Sequence, residues 1–158
     1  MPFDKKNLVA PIEVDSIRFI LRPLTIHHVI KDYDAVMTSQ VHLWQRFGEV
    51  WAWPAADLTL EQDLIDLAWH QKEFQTKSSF AYAVLSLDQS HVLGCLYIYP
   101  PSTLQAEADV WFWARQSELE QNLEHYIEIF IFDWLSESWP FDMVMLNGKY
   151  QVIKRLNT

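Results

Sequence analysis

The chain has 158 residues, 21 acidic side chains against 12 basic ones, a net charge of −9 and only 3 glycines. That length fits one domain that buries enough surface to hold a core without staples, and 50% apolar with 15% aromatic content argues against disorder. The glycines stand apart at Gly48, Gly94 and Gly148, which excludes glycine-rich repeats and nearly excludes a glycine-rich phosphate loop, and the acidic excess repels a nucleic-acid backbone.

In chain order, Met1 to Ser16 form a lead-in, and Ile17 to Leu21 read as a short strand ended by Arg22-Pro23. Thr25 opens a helix to about Ser39, with Ile26, Val29, Ile30, Tyr33 and Val36-Met37 recurring at three and four residues. Residues 40–58 read as aromatic and irregular. A second helix starts at Thr59, where Gln62 completes a capping box, and Leu60, Leu64, Leu67, Ala68 and Phe74 form its expected apolar face. Phe80 to Leu87 and Val92 to Tyr99 read as a hairpin around Asp88-Gln89-Ser90-His91, closed by Pro100-Pro101. Ala108 to Ala114 is an aromatic strand, followed by a helix over about Ser117 to Glu137 and a last strand, Met143 to Leu146. Asn147 to Thr158 read as a tail. The order predicts a single α+β domain of residues 1–158, with a core over 17–146 and a parallel crossover at its end.

Cys95 is the sole cysteine and sits in an apolar strand, so a cytoplasmic location without a disulfide is expected. The N-terminus has no apolar signal region, and the most apolar run, Ile127 to Leu135, is interrupted by Glu128 and Asp133, so no membrane partner is expected. Six histidines show no metal-ligand spacing, and no metal is expected. His27 and His28 are adjacent and cannot share a helix face, and His70 and His125 each stand alone on a helix.

The order of elements, with Ile17-Arg18-Phe19-Ile20-Leu21-Arg22-Pro23-Leu24, Phe80 to Leu85, Val92-Leu93-Gly94-Cys95-Leu96-Tyr97-Ile98 and Ala108 to Arg115, resembles the GNAT superfamily of acyl-CoA-dependent N-acyltransferases. Among its members the chain looks most like uncharacterised bacterial acetyltransferase-like proteins. The resemblance implies a mostly antiparallel mixed sheet flanked by helices, here with a short C-terminal end. It implies acetyl-CoA as co-substrate and a small-molecule or peptide amine as acceptor. Homo-oligomerisation is left open. In the family, acyl-CoA lies in a wedge where two strands part. Its pantetheine pairs with the strand that corresponds to Ala108 to Ala114, and its pyrophosphate rests on the start of the next helix. Carried over, the cofactor-binding positions are Phe112, Trp113, Ala114, Arg115, Gln116 and Ser117.

The turn departs from the family pattern of Arg or Gln, two residues, Gly, one residue, Gly or Ala. It reads Arg115-Gln116-Ser117-Glu118-Leu119-Glu120, with glutamates at both small positions. Ser117 and Glu120 also match a capping box, which would occupy donors that hold pyrophosphate elsewhere. Carboxylates there each stabilise a helix start by about 0.3–1 kcal/mol. A catalytically inactive GNAT-like binding or interaction protein is therefore the alternative reading. The residues after 146 are too few for the further helix and strands many members carry. Lys149, Lys154 and Arg155 make that end basic.

Transfer to an amine requires its proton to be removed, since a lysine-like amine has a pKa near about 10.4. Glu107 and Asp109 are the candidate bases, on one side of their strand by alternation, with a solvent-facing edge as the other account of them. The resemblance implies a tyrosine acid, for which Tyr150 is the candidate, with Tyr97 and Tyr99 as alternatives. Trp44, Trp51 and Trp53 border the region where acceptors bind in the family. They suit an apolar or cationic group, or simply core packing.

Overall fold

Seven strands form one sheet in sequence order in the computed structural model, which describes residues 2–6 and 8–153. They are β1 Val14–Asp15, β2 Ile20–Pro23, β3 Phe80–Leu85, β4 Val92–Tyr99, β5 Ala108–Ala114, β6 Met143–Leu146 and β7 Lys149–Val152. All neighbours are antiparallel except β5 and β6, which pair in parallel across the helix between them. The expected α+β sheet and its parallel crossover are both present.

Alternation along the strands divides the core in two. Tyr82, Val84, Leu96, Ile98, Val110 and Phe112 face α4, Leu123–Ser138, whose Leu123, Ile127, Ile131 and Leu135 are buried against them. On the opposite face Ala81, Ala83, Cys95, Tyr97 and Trp113 meet α1 Val29–Met37, α2 Gln40–Trp51 and α3 Leu60–Gln75. β4 and β5 run unusually close: a Cβ on Gly94 would lie 2.0 Å from the Trp113 carbonyl oxygen. No helix among the described residues is long and apolar enough to cross a membrane.

Several elements differ from the sequence expectation. The first strand is β2, shifted toward Pro23, with the two-residue β1 beside it. Thr25 does cap the following turn, accepting from His27 N–H, while His28 Nδ1 accepts from Thr25 N–H. That turn is a 3-10 segment, Ile26–His28, and α1 begins only at Val29. Residues 40–51 are helical, not irregular: Leu43 and Phe47, four apart, are buried, and Gly48 admits the Trp44 ring, 2.9 Å from where a Cβ would stand.

The capping box at Thr59 and Gln62 forms as expected, but the inner face of α3 is rotated. Asp63 and Leu67 are buried, whereas Leu60 and Leu64 are exposed. The last helix starts at Leu123, after Asn122 in a left-handed conformation with φ 56°, so Ser117 caps no α-helix. Asn147 (φ 47°) and Gly148 (φ 84°) form a tight turn that returns the chain as β7. The expected tail is therefore a strand as far as Val152. Lys154 and Arg155 lie outside the described residues.

Candidate functional site

β5 and β6 pair only over Ala108–Val110 and Val144–Leu146. Asn147 N–H still donates to Val110 O, and then the chain turns away into β7. The C-terminal half of β5 keeps β4 on one side and, among the described residues, has no strand on the other. Side chains dress that open edge. Phe112 N–H donates to Asn147 Oδ1 at 3.1 Å, and Arg46 donates to Phe112 O at 3.3 Å. Arg46 also forms an ion pair with Glu124 of α4, so it links α2 to α4 across the opening. His42, one turn earlier on α2, hydrogen-bonds the Ala114 backbone. Burial, with the Arg46 charge, lowers its pKa below the ordinary histidine value.

The turn from Arg115 to Asn122 has committed many of its groups. Gln116 N–H donates to Ser39 Oγ at 2.8 Å. Glu118, Leu119, Gln121 and Asn122 N–H groups bond carbonyls three residues back within the turn. Arg115 is 8% exposed and points toward α1 and β4, donating to Asp34 Oδ2, Thr38 Oγ1 and Val92 O. It ties the sheet to α1 and does not face the open edge of β5.

Sheet register places Tyr99, Asp109, Met145 and Tyr150 in one row across β4 to β7, on the face covered by α1 to α3. Asp109 is half-buried, and its Oδ1 is buried without a hydrogen-bond partner. Tyr150 is exposed and its hydroxyl donates to Thr103 Oγ1 at 3.2 Å. Glu107 lies just before β5, and its Oε1 accepts from the N–H groups of Asp142 and Met143. The structure thus places Asp109 and Tyr150 in one row and commits Glu107 to fastening the entry of β6.

Trp51 and Trp53 come together, and Trp44 stays on the exposed side of α2. Trp51 stacks on Phe47 at 4.5 Å and meets Trp111, Tyr97 and Tyr99 at 5.5, 5.6 and 6.0 Å. Trp111 also borders the Gly148 turn where β5 and β6 part. Trp51 therefore separates the open strand edge from a cavity of about 240 Å³ beneath α1 and α3.

That cavity was not legible as a site in the sequence. Asp32, Asp63, Asp66 and His70 line it with Trp51, Trp53, Trp69, Tyr97 and Tyr99. Asp32 and Asp63 are 3% and 2% exposed and share a hydrogen bond between their carboxyl groups. Burial raises both above the ordinary carboxylate range, and the charge of Asp32 raises Asp63 further. Burial also pushes His70 down to about 4, so it is neutral at pH 7. Among the described residues, no group of three or more histidine, cysteine or acidic side chains is gathered as metal ligands.

Solved structures share this architecture. A ribosomal-protein-S5-alanine acetyltransferase from Vibrio fischeri aligns over 86% of this chain and 73% of its own, at TM-score 0.66 and 11% identity. The chain has the GNAT fold. Two other GNAT structures give the same picture. An acetyltransferase from Salmonella typhimurium, described as modifying the N-terminal serine of ribosomal protein L7/L12, aligns over 83% and 71% at TM-score 0.65 and 14% identity. A ribosomal L7/L12 alpha-N-protein acetyltransferase in complex with coenzyme A aligns over 85% and 73% at TM-score 0.67 and 15% identity. No protein-family profile matches the sequence, and no curated protein does.

Proposed function

We propose that the chain is an acyl-CoA-dependent N-acyltransferase that moves an acetyl group to an amine. The observation that carries this reading is the parting of β5 from β6 after Val110 and Leu146 within a GNAT fold. It leaves a strand edge on which an extended amide-bearing ligand can add as a further strand. The structurally similar proteins are described as acetyltransferases, one of them in complex with coenzyme A, which supports the same reading.

The edge fits pantetheine once its present partners give way. Asn147 Oδ1 and the Arg46 guanidinium occupy the donor and acceptor of Phe112 that a pantetheine amide would use. Both are side chains that can rotate away. Bound acetyl-CoA supplies the thioester carbonyl and the thiol leaving group. Asp109 then serves as the base for the acceptor amine, because its Oδ1 is buried without a partner on the acceptor face of the sheet. Glu107 is held by two backbone amides and is the weaker candidate. Tyr150 lies two strands from Asp109, roughly 10 Å by strand spacing, and is the proton donor to the departing sulfur. Glu118 and Glu120 bring negative charge to the turn where GNAT proteins place phosphates, so affinity for acetyl-CoA is lower than with small residues there.

The test is a melting experiment with acetyl-CoA followed by thiol release on adding amines. A ligand at 100 times its dissociation constant stabilises by about 2.7 kcal/mol, a rise of roughly 5–10 °C at this size. No shift at millimolar acetyl-CoA would sink the reading and leave a GNAT-like binding protein.

A further inference from the structure

The cavity under α1 and α3 has features that packing alone does not call for. Its walls are aromatic: Trp51, Trp53, Trp69, Tyr97 and Tyr99. Its floor is acidic, with Asp32 from α1 and Asp63 from α3, both almost fully buried, and no lysine or arginine lines it. Two polar atoms there, Asp63 Oδ2 and His70 Nδ1, are buried and meet no N–H or hydroxyl donor, and the Asp63 carboxyl group has that of Asp32 as its hydrogen-bond neighbour. Buried polar atoms without partners are uncommon and costly, and a ligand or ordered water commonly satisfies them.

We propose that this cavity is a binding site for a primary alkylammonium ion, whose N–H groups donate to the proton-sharing Asp32–Asp63 carboxyl pair while its alkyl chain lies among the aromatic rings.

The chemistry matches on each count. Two carboxyl groups that share one proton carry a single net negative charge, which one monovalent cation neutralises. The indole and phenol faces attract a cation through their quadrupoles, most strongly where water is excluded. At about 30 Å³ per small group, the 240 Å³ space accepts a short amine and excludes a folded peptide. The carboxylates are not gathered as metal ligands, which favours an organic cation over a metal ion. Trp69 is 46% exposed and half-buried Asp66 stands one helical turn after Asp63, so these two residues form the way in. Trp51 and Tyr97 stand between the site and Trp111 at the parting of β5 and β6. On the acyl-transfer reading the occupant is the cationic part of the acceptor, but binding itself does not depend on that reading.

The test uses n-butylammonium chloride titrated calorimetrically into the full chain at constant ionic strength, without any acyl-CoA. Saturable one-to-one binding is expected, with a dissociation constant on the order of 1 mM. The neutral analogue 1-butanol should not bind, and the double variant Asp32→Asn, Asp63→Asn, which removes the charge of the pair, should weaken butylammonium at least about tenfold. Asparagine keeps the shape of both carboxyl groups, which burial disfavours in the charged form, so the variant should fold, as its melting curve will report. Trp69→Ala, at the exposed rim, should also weaken binding. Failure of butylammonium to saturate, equal binding of 1-butanol, or unchanged affinity in either variant overturns the proposal. Because acyl-CoA is absent, neither result bears on whether the chain transfers acyl groups.

Discussion

Replacing Asn147 with glycine should increase affinity for acetyl-CoA while making the fold less stable. Asn147 Oδ1 accepts from Phe112 N–H at 3.1 Å, so a ligand that pairs with this N–H must first break that bond. A neutral hydrogen bond of this kind contributes about 0.5–1.5 kcal/mol net. Removing the competitor therefore tightens binding by up to about tenfold, since tenfold corresponds to about 1.4 kcal/mol. Glycine is the right replacement because position 147 has φ 47°, which glycine adopts freely and alanine does not. The variant loses the hydrogen bond and gains chain entropy when unfolded, costing about 0.4–1 kcal/mol for the latter. Its melting temperature should fall by several degrees, at about 2–4 °C per kcal/mol. Calorimetric titration of acetyl-CoA into both proteins at one pH and salt concentration measures the effect. Unchanged or weaker affinity in a folded Asn147→Gly variant would show that the ligand does not use the Phe112 edge.

Other perturbations test separate links. Gly94→Ala puts a Cβ 2.0 Å from the Trp113 carbonyl oxygen. Because the clash is with backbone, destabilisation of at least about 1–3 kcal/mol is expected in denaturant unfolding, and a near-neutral result would refute the close β4–β5 approach. Asp63 is raised in the folded state by burial and then by Asp32, from an ordinary value of 3.8. Its neutral form thus contributes stability that is complete below pH 3.8 and drains away as pH rises through neutrality. Asp63→Asn removes this contribution and leaves only that of Asp32, so its melting temperature should gain on the parent's between pH 4 and pH 8, and a constant gap would contradict the assignment. Replacing Glu118 and Glu120 together with glycine should tighten acetyl-CoA and flatten the salt dependence of binding, whereas weaker binding would remove the argument that these charges oppose the phosphates.

The strands were legible because their runs are long, apolar and bounded by turn residues: Phe80 to Leu85, Val92 to Tyr99 and Ala108 to Ala114 form where the pattern puts them. What stayed hidden has identifiable causes. α2 carries Trp44, Trp51 and Gly48 and lacks a side-chain cap, because Ser39 spends its hydroxyl on Gln116 N–H. Helix formation there is driven by burying Leu43 and Phe47, which is tertiary and leaves only a four-residue spacing in the sequence. β7 did leave a signal: Asn147-Gly148 is a strong short-range hairpin marker, and its two positive φ values bear that out. The inner face of α3 was misread because Asp63 and His70 occupy inward positions that a hydrophobic pattern assigns to leucine, while Leu60, Leu64 and Ile65 are exposed. Polar residues buried against the pattern are what functional sites commonly require, and the cavity is built from them. For the candidate site, Asp109 and Tyr150 could be named from the sequence, but their common row depends on the parallel register of β5 with β6 and on β7 being a strand.

The most direct measurement is an amide spectrum of the ¹⁵N-labelled chain titrated with acetyl-CoA. The open edge of β5 predicts saturable shifts of the Phe112 and Ala114 backbone amides, with a matching change in the Asn147 side-chain amide as it leaves Phe112. Absence of saturable shifts, or shifts confined to residues away from β5 and the Arg115 to Asn122 turn, would contradict acyl transfer in this wedge.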